Sequence, residues 1–270
     1  MSAVELPIAL PRHSFSIRDA ARAGDIWRAF QELAVEASTA AGWPPDRYRA
    51  EGSAFVVRSM RVVHHREAVY GERITGRTWV ARFRKGFLST REVRLTSARG
   101  PVASGTQEWV HVSASLEILK APESLVAAFP VFADPHEPET LTDIPTHTPR
   151  KGRRFSFEFE AWHTWMDPLA HANHPAYVDW CDESLSRFLH GEGVDPVRLV
   201  PVAEEATYRS GVVAPERVTV HSVADGITED GAVSLVHEVY SAGELRAKVR
   251  TVRRLMGDDA ELARLLGVAE

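Results

Sequence analysis

One segment of the chain places an acid, a base and an amide side chain directly in front of a predicted helix. Asp167, His171 and Asn173 follow one another closely, and Pro175 and Tyr177 come next. Proline suits the first helical position, where a missing N–H costs nothing, and the amides of a first helical turn carry partial positive charge. A carboxylate, an imidazole and backbone donors could therefore act together on one small electrophile such as a carbonyl group.

The elements that must position this segment occur twice along the chain. In the second half, a predicted strand from Phe155 to Trp162 leads through the segment into an amphipathic helix that Gly191 ends. In the first half, Phe15 to Asp19 reads as the strand, and Asp25 as the N-cap of a second long helix. About four strand-like segments rich in Val, Thr, Phe and Trp follow each helix.

Local sequence supports this repeat. Residues 71–75 correspond to residues 215–219, and residues 86–93 correspond loosely to residues 231–239. Between the halves, residues 120–154 contain six prolines and are typical of a linker with one short helix near Glu123 to Phe129. We therefore predict an α+β protein with domains at 1–119 and 155–270.

The segment from Asp167 to Tyr177 resembles the Asp-x-x-Gly-His-Val-Asn-Asn-x-x-Tyr signature of hotdog-fold acyl thioesterases. The hydroxybenzoyl-CoA and acyl-ACP thioesterase branches both carry a catalytic aspartate at the place of Asp167. Ala170 stands where that signature has glycine, and His174 where it has the second asparagine. The resemblance implies a double hotdog, two tandem repeats in which an antiparallel sheet wraps around a long central helix. It also implies hydrolysis of acyl-CoA or acyl-carrier-protein thioesters.

In this interpretation the catalytic residues are Asp167, His171 and Asn173. Asp167 either attacks the thioester carbonyl or removes a proton from water, and His171 orients the reactants or relays the proton. Both interpretations of Asp167 stay open at the level of sequence. A structural role is the alternative for His171, which could anchor the loop, and Asn173 is typical of a loop organiser.

The remaining site predictions concern substrate binding. The amides near Ala176 and Tyr177 would stabilise negative charge on the carbonyl oxygen. Apolar walls for the acyl group are predicted from Trp27, Phe30, Trp165 and Tyr177, although aromatic residues at helical spacing are usually core.

The first half offers less chemistry than the second. The stretch that we align with the motif, Asp19 to Asp25, has neither histidine nor asparagine, so we expect one working site and one degenerate site. Glu32 is a further candidate, because one thioesterase branch places its catalytic carboxylate on the helix. A glutamate on a solvated helical face is the more common explanation.

Composition limits the function classes. The chain has 270 residues, 44% of them hydrophobic and 26% charged, with a net charge of −5 that gives no basic footprint for nucleic acid. No apolar stretch approaches the roughly 20 residues of a membrane span. A single cysteine, Cys181, permits no intramolecular disulfide and favours a cytoplasmic protein. The resemblance to acyl thioesterases implies a role in fatty acid metabolism. No metal-ligand spacing or phosphate-binding glycine loop indicates a cofactor.

Two alternatives to a thioesterase remain. Hotdog hydratases also place an aspartate and a histidine at a helix start, but their motif is Asp-x-Asn-x-x-His, and here His171 lies one residue closer to Asp167. The second alternative is a non-catalytic protein that binds acyl thioesters. Exposed sheet edges could also build a homo-oligomer.

Overall fold

The computed structural model describes residues 3–132 and 139–269. They form two compact units: unit 1 comprises residues 1–14 and 25–143, and unit 2 comprises residues 15–24 and 144–270. The division after Asp143 falls inside the segment 120–154 that we interpreted as a linker. The segment Phe15–Gly24 belongs to unit 2, where the Arg18 guanidinium donates to the carbonyl oxygens of Val197 and Leu199 at 2.6 and 2.9 Å.

Unit 1 is an antiparallel sheet with one long helix. Its elements are β1 (Val4–Ile8), α1 (Ala23–Ala40), α2 (Pro45–Ala50), β2 (Ser53–His64), β3 (Ile74–Arg84), β4 (Leu88–Ser97), β5 (Gly100–Ser113) and α3 (Glu123–Ala128). The strand order is β1-β3-β4-β5-β2.

The central helix of unit 1 is held by its apolar stripe. Trp27, Phe30 and Leu33 have no exposed surface, at the i, i+3 spacing that puts them on one helical face. Gly105 on β5 permits close contact with this stripe, because a Cβ there would lie 2.4 Å from a Phe30 ring carbon and from the Arg61 carbonyl oxygen. The helix is therefore buried against the sheet.

Unit 2 repeats the order of a strand, a long helix and four antiparallel strands. Its elements are β6 (His147–Pro149), β7 (Arg154–Glu160), α4 (Ala176–Gly191), β8 (Leu199–Tyr208), β9 (Arg217–Thr228), β10 (Val233–Ser241), β11 (Glu244–Leu255) and α5 (Asp259–Leu265). The strand order is β8-β11-β10-β9-β6, and β7 also pairs with β9. α4 buries Tyr177, Trp180, Cys181, Leu185 and Leu189.

A buried polar chain links α4 to its sheet. The Ser184 hydroxyl lies 3.1 Å from the Ser222 hydroxyl, which lies 2.8 Å from Nδ1 of His237. Nε2 of His237 lies 2.9 Å from the Thr251 hydroxyl. Every polar atom of the imidazole is thus satisfied, which makes its burial tolerable and fixes α4 above β9, β10 and β11.

Most element predictions are confirmed. Each half has a strand, a long helix and four antiparallel strands, and α3 is the short helix expected near Glu123 to Phe129. The strand predicted at Phe15 to Asp19 is wrong, because those residues form a tight turn with Asp19 in the left-handed region (φ 57°), and the strand is β1. Asp25 lies inside the first turn of α1 and is not its N-cap.

The helices of residues 3–132 and 139–269 include none that is long and apolar enough to cross a membrane.

Candidate active site

The loop in front of α4 fixes the carboxylate of Asp167. The backbone N–H of Asp167 donates to the His171 carbonyl at 2.9 Å, and the N–H of Ala170 donates to the Asp167 carbonyl at 2.9 Å. Ala170 has φ 62°, in the region that favours glycine, the residue that the motif usually carries there. Oδ1 of Asp167 accepts the N–H of Leu169 at 2.8 Å, as aspartates commonly do in turns. One carboxylate oxygen is therefore held by the turn itself.

The other oxygen of Asp167 faces the imidazole. Oδ2 lies 3.5 Å from Nδ1 of His171, and the two side chains are only 15% and 18% exposed. This separation is longer than a hydrogen bond. Within residues 3–132 and 139–269, Nδ1 has no hydrogen-bond partner although it is buried. Catalytic pairs are often this loose before substrate binds. The pair is thus arranged for proton transfer or for orienting a reactant.

A second loop, 209–216, holds the imidazole in place. Gly211 packs directly on His171, since a Cβ at Gly211 would lie 2.6 Å from the His171 Cβ. The N–H of Ala172 donates to the Val212 carbonyl at 2.7 Å, and the N–H of Val212 donates to the Tyr177 hydroxyl at 3.0 Å. Tyr177 is therefore a structural anchor between α4 and loop 209–216. Burial raises the pKa of Tyr177 to about 12, so its hydroxyl stays protonated.

Asn173 contributes an unused acceptor. Its backbone N–H donates to the Trp165 carbonyl at 3.0 Å, which closes the loop. Its side-chain Oδ1 is buried and has no hydrogen-bond partner among the described residues. Buried polar atoms are usually satisfied, so this oxygen is available to a ligand or to a rearranged neighbour.

The amides chosen in the sequence analysis are engaged within the chain. The N–H of Ala176 donates to the Asn173 carbonyl at 2.9 Å, and the N–H of Tyr177 donates to the His174 carbonyl at 3.3 Å. The latter bond is long and could be exchanged for a substrate oxygen at small cost. Stabilisation of a carbonyl oxygen by these amides stays a prediction.

An aromatic cluster borders the loop. Trp165 is half-buried and stacks on Trp162 with ring centroids 4.7 Å apart, and it contacts Trp180 and Phe159 at 5.5 and 5.7 Å. Trp162 is 62% exposed. Trp165 therefore lies between the exposed ring of Trp162 and the buried Trp180 on α4. It is two residues from Asp167, where an apolar substrate would need a wall.

The other predicted pocket residues lie in unit 1. Trp27 and Phe30 have no exposed surface and pack in the core of that unit. Their role in binding an acyl group stays a prediction. Glu32 lies on the exposed face of α1, and desolvation by the surrounding protein, together with the neighbouring Glu36, raises its pKa.

The loop before α1 has the same backbone pattern as the loop before α4. The N–H of Ser16 donates to the Ala20 carbonyl at 2.8 Å, and the N–H of Asp19 donates to the Ser16 carbonyl at 3.0 Å. Asp19 and Ala170 share the left-handed conformation, with φ of 57° and 62°. Ser16 therefore takes the position of Asp167.

This register differs from the one expected from sequence. Ala20 stands at the position of His171 and Arg22 at that of Asn173, whereas we aligned the stretch 19–25 with the motif. At the three positions that match Asp167, His171 and Asn173, this loop carries serine, alanine and arginine and thus none of the residues that the motif supplies. Aligning the first large apolar residue of each helix, Ile26 with Tyr177, would have given the correct register.

The described part of the chain contains no group of three His, Cys, Asp or Glu side chains that could hold a metal ion.

Comparison with known families points to the second half of the chain. Residues 161–264 match the family model described as the thioesterase-like superfamily. This segment contains the loop of Asp167, His171 and Asn173 and most of unit 2. A search of curated protein sequences gave no match.

Solved structures share the fold over almost the whole chain. A crystal structure of a protein assigned as an oleoyl thioesterase from Lactobacillus plantarum has a TM-score of 0.77 at 18% identity, covering 95% of this chain and 98% of that one. An acyl-ACP thioesterase from Bacteroides thetaiotaomicron gives 0.72 at 11% identity, covering 93% and 98%. The 12:0-ACP thioesterase from Umbellularia californica gives 0.70 at 14% identity, covering 94% and 97%.

The fold is that of a double hotdog protein of the α+β class, as predicted. This fold and the family match over residues 161–264 confirm the predicted resemblance to hotdog-fold thioesterases.

Proposed function

We propose that this protein is an acyl thioesterase that hydrolyses acyl-CoA or acyl-carrier-protein thioesters to the free acid and a thiol. The observation that carries the proposal is the pair of Asp167 and His171. Their side chains lie 3.5 Å apart, nearly buried, in a loop that its own turn and loop 209–216 hold in place. The pair lies in the segment that matches the thioesterase-like family.

The chemistry follows from the two oxygens of Asp167. Oδ1 is held by the Leu169 amide, which leaves Oδ2 to react. In one route Oδ2 attacks the thioester carbon, the C–S bond breaks, the thiolate takes a proton, and water then hydrolyses the mixed anhydride. In the other, Oδ2 takes a proton from a water molecule whose oxygen attacks the same carbon, the C–S bond breaks, and the proton passes to the thiolate. Both routes consume one water, and His171 orients the nucleophile or relays the proton.

Two observations support acyl thioesters as the substrate class. The aromatic cluster of Trp165, Trp162 and Phe159 gives an apolar surface next to the acid–base pair. The proteins that share this fold include ones described as oleoyl, acyl-ACP and 12:0-ACP thioesterases. We therefore propose acyl chains as substrates and a role in fatty acid metabolism.

The cellular setting belongs to the same proposal. Cys181 is fully buried, and desolvation raises the pKa of its thiol well above the usual value, so it is a structural residue. We propose a cytoplasmic enzyme without a metal or organic cofactor, acting as a monomer or a homo-oligomer. Light scattering on purified protein measures the assembly.

The test is thiol release from a panel of acyl-CoAs and acyl-carrier proteins with short, medium, long and aromatic acyl groups. A colorimetric thiol reagent reports the cleaved thiol, and mass spectrometry reports the free acid in equal amount. Hydrolysis of at least one thioester, well above the rate without protein, is expected. An enoyl-CoA is included in the panel, and loss of its enoyl absorbance without released thiol would instead identify a hydratase. Binding without turnover would identify a non-catalytic protein.

A further inference from the structure

An arginine lies buried on the inner face of the unit 1 sheet. Arg91 on β4 is only 7% exposed, and the alternation of β4 puts Ser89, Arg91 and Val93 on the buried face. Its neighbours across the sheet are Val80 on β3 and Gln107 on β5, both buried as well. More than nine-tenths of the Arg91 side chain is therefore buried within the unit.

This guanidinium has few partners. Of its five N–H donors, Nη1 reaches the Thr78 hydroxyl at 3.3 Å, and its Cζ lies 5.8 Å from the centre of the Phe129 ring. Within residues 3–132 and 139–269, no carboxylate forms an ion pair with Arg91. Burial lowers the pKa of Arg91 to about 10, and the interaction with the Tyr48 phenol opposes this shift only in part.

Unit 2 shows what the same fold does when it buries an arginine for structural reasons. Arg253 is 1% exposed and makes ion pairs with Asp182 at 2.8 Å and with the fully buried Glu204. Burial alone would lower the pKa of Arg253, but the two carboxylates outweigh it and the pKa is raised. A buried charge without such partners is strongly unfavourable. Arg91 therefore calls for an anionic ligand that supplies the counter-charge, which the carboxylates of Asp182 and Glu204 supply to Arg253.

The surroundings of Arg91 define the kind of ligand. Val80 and Phe129, which flank it, belong to a buried apolar cluster with Trp43, Ala121 and Leu125. A planar cation with parallel donors matches a carboxylate, and the adjoining cluster matches an apolar group attached to that carboxylate.

We propose that unit 1 holds a binding site for a monocarboxylic acid, with its carboxylate on the Arg91 guanidinium and its apolar body against Val80 and Phe129. The site does not depend on the reaction proposed for Asp167. Alkyl and aryl acids share the required chemistry, and the experiment separates them.

The test is calorimetric titration and thermal unfolding with octanoate below its micelle concentration, with benzoate, and with the neutral octanamide, all at equal ionic strength. Octanoate or benzoate at about a hundred times its Kd is expected to raise the Tm of the wild type by about 5 °C, whereas octanamide is not. A response to only one of the two acids identifies the apolar body. Arg91→Met is expected to weaken carboxylate binding at least about tenfold, because a charge-assisted hydrogen bond is lost.

Two further variants locate the effect. Asp167→Asn is expected to bind the carboxylate like the wild type, and Arg91→Lys, which keeps the cation, is expected to bind better than Arg91→Met. Equal responses to octanoate and octanamide would overturn the proposal, and so would no response to either acid. Carboxylate binding that survives in Arg91→Met but disappears in Asp167→Asn would place the ligand at the thioester site and overturn it as well.

Discussion

At the scale of single residues, the important asymmetry is between the two oxygens of Asp167. The turn uses Oδ1 and leaves Oδ2 facing His171 at 3.5 Å. A turn aspartate without a catalytic role would need only the first of these contacts. The nearby buried atoms without partners, Nδ1 of His171 and Oδ1 of Asn173, lie in the same loop. Unsatisfied buried groups are expected where a substrate completes the hydrogen bonding.

His171→Ala is expected to lower kcat by about 10²–10⁴-fold, because general acid–base groups contribute rate enhancements of that size. KM should change much less, since the imidazole acts on the reacting atoms and not on the acyl body. Steady-state kinetics on the best thioester of the panel measures both constants. His190→Ala is the matched control, since His190 is exposed in the last turn of α4. Equal kinetics of the two variants would assign His171 a structural role only.

The motif residues could be predicted because they lie in one short segment, where residue type and spacing suffice. Their supporting contacts could not. Gly211 and Val212 reach the loop from a distant part of the sequence, and no local pattern indicates that a Cβ at residue 211 would collide with His171. The burial of Tyr177 was expected from its helical spacing. The hydrogen bond that its hydroxyl accepts from the Val212 amide was not, because it depends on the tertiary fold.

At the scale of elements, loop 209–216 sets the position of the imidazole. Gly211→Ala is expected to lower kcat by about tenfold or more, because misplacing a catalytic group by about an ångström is costly. The displaced side chain is His171, whose Cβ lies 2.6 Å from the new methyl group. Kinetics together with the crystal structure of the variant measures rate and displacement.

Gly191→Ala is the control for this change, because a Cβ there meets nothing within 4 Å. Gly191 is the last residue of α4. Because the added methyl group would not contact loop 209–216, the Gly191→Ala substitution should leave kcat unchanged. A Gly211→Ala enzyme that is as active as the Gly191→Ala enzyme would mean that the loop does not position His171.

The polar chain under α4 predicts a pH-dependent stability. Burial, with the nearby Arg253, lowers the pKa of His237 from 6.5 to about 3. Between these values the unfolded chain binds a proton that the folded chain does not, so stability falls as the pH drops below about 6.5. The contribution is up to about 1.4 kcal/mol per pH unit.

His237→Gln removes this titration while keeping a polar side chain. Denaturant unfolding at pH 7, 6, 5 and 4 should therefore give a shallower loss of the free energy of unfolding in the variant than in the wild type. Parallel pH profiles for the two proteins would show that the pKa of His237 is the same in the folded and the unfolded chain, which contradicts the prediction.

Element types were predictable wherever one periodicity dominated. The stripe of Ile26, Phe30, Leu33 and Ala37 indicated α1, and the apolar residues at helical spacing from Tyr177 onward indicated α4. The failures fall at turns. Phe15 to Asp19 looks apolar enough for a strand, yet the left-handed Asp19 and the bond from Ser16 to Ala20 make it a tight turn.

At the scale of the whole molecule, the two hotdogs keep one backbone plan and differ in chemistry. The repeat could be predicted from the sequence because each half uses the same order of elements to bury its own central helix. The association of Phe15–Gly24 with unit 2 could not be predicted from the sequence. It depends on hydrogen bonds from Arg18 to two carbonyl groups that lie far away along the chain. The matched loops put serine in unit 1 where unit 2 has Asp167. We therefore expect one working thioester site in each chain.

The measurement that tests this most directly is thiol release by the wild type, Asp167→Asn and Ser16→Ala on the best thioester. Asp167→Asn should lose activity by about 10³-fold or more, as expected when the nucleophile or base of a reaction is removed, while Ser16→Ala stays within about twofold of the wild type. Unfolding curves confirm that both variants are folded. An Asp167→Asn enzyme that retains wild-type activity, or a Ser16→Ala enzyme that loses it, would contradict the assignment.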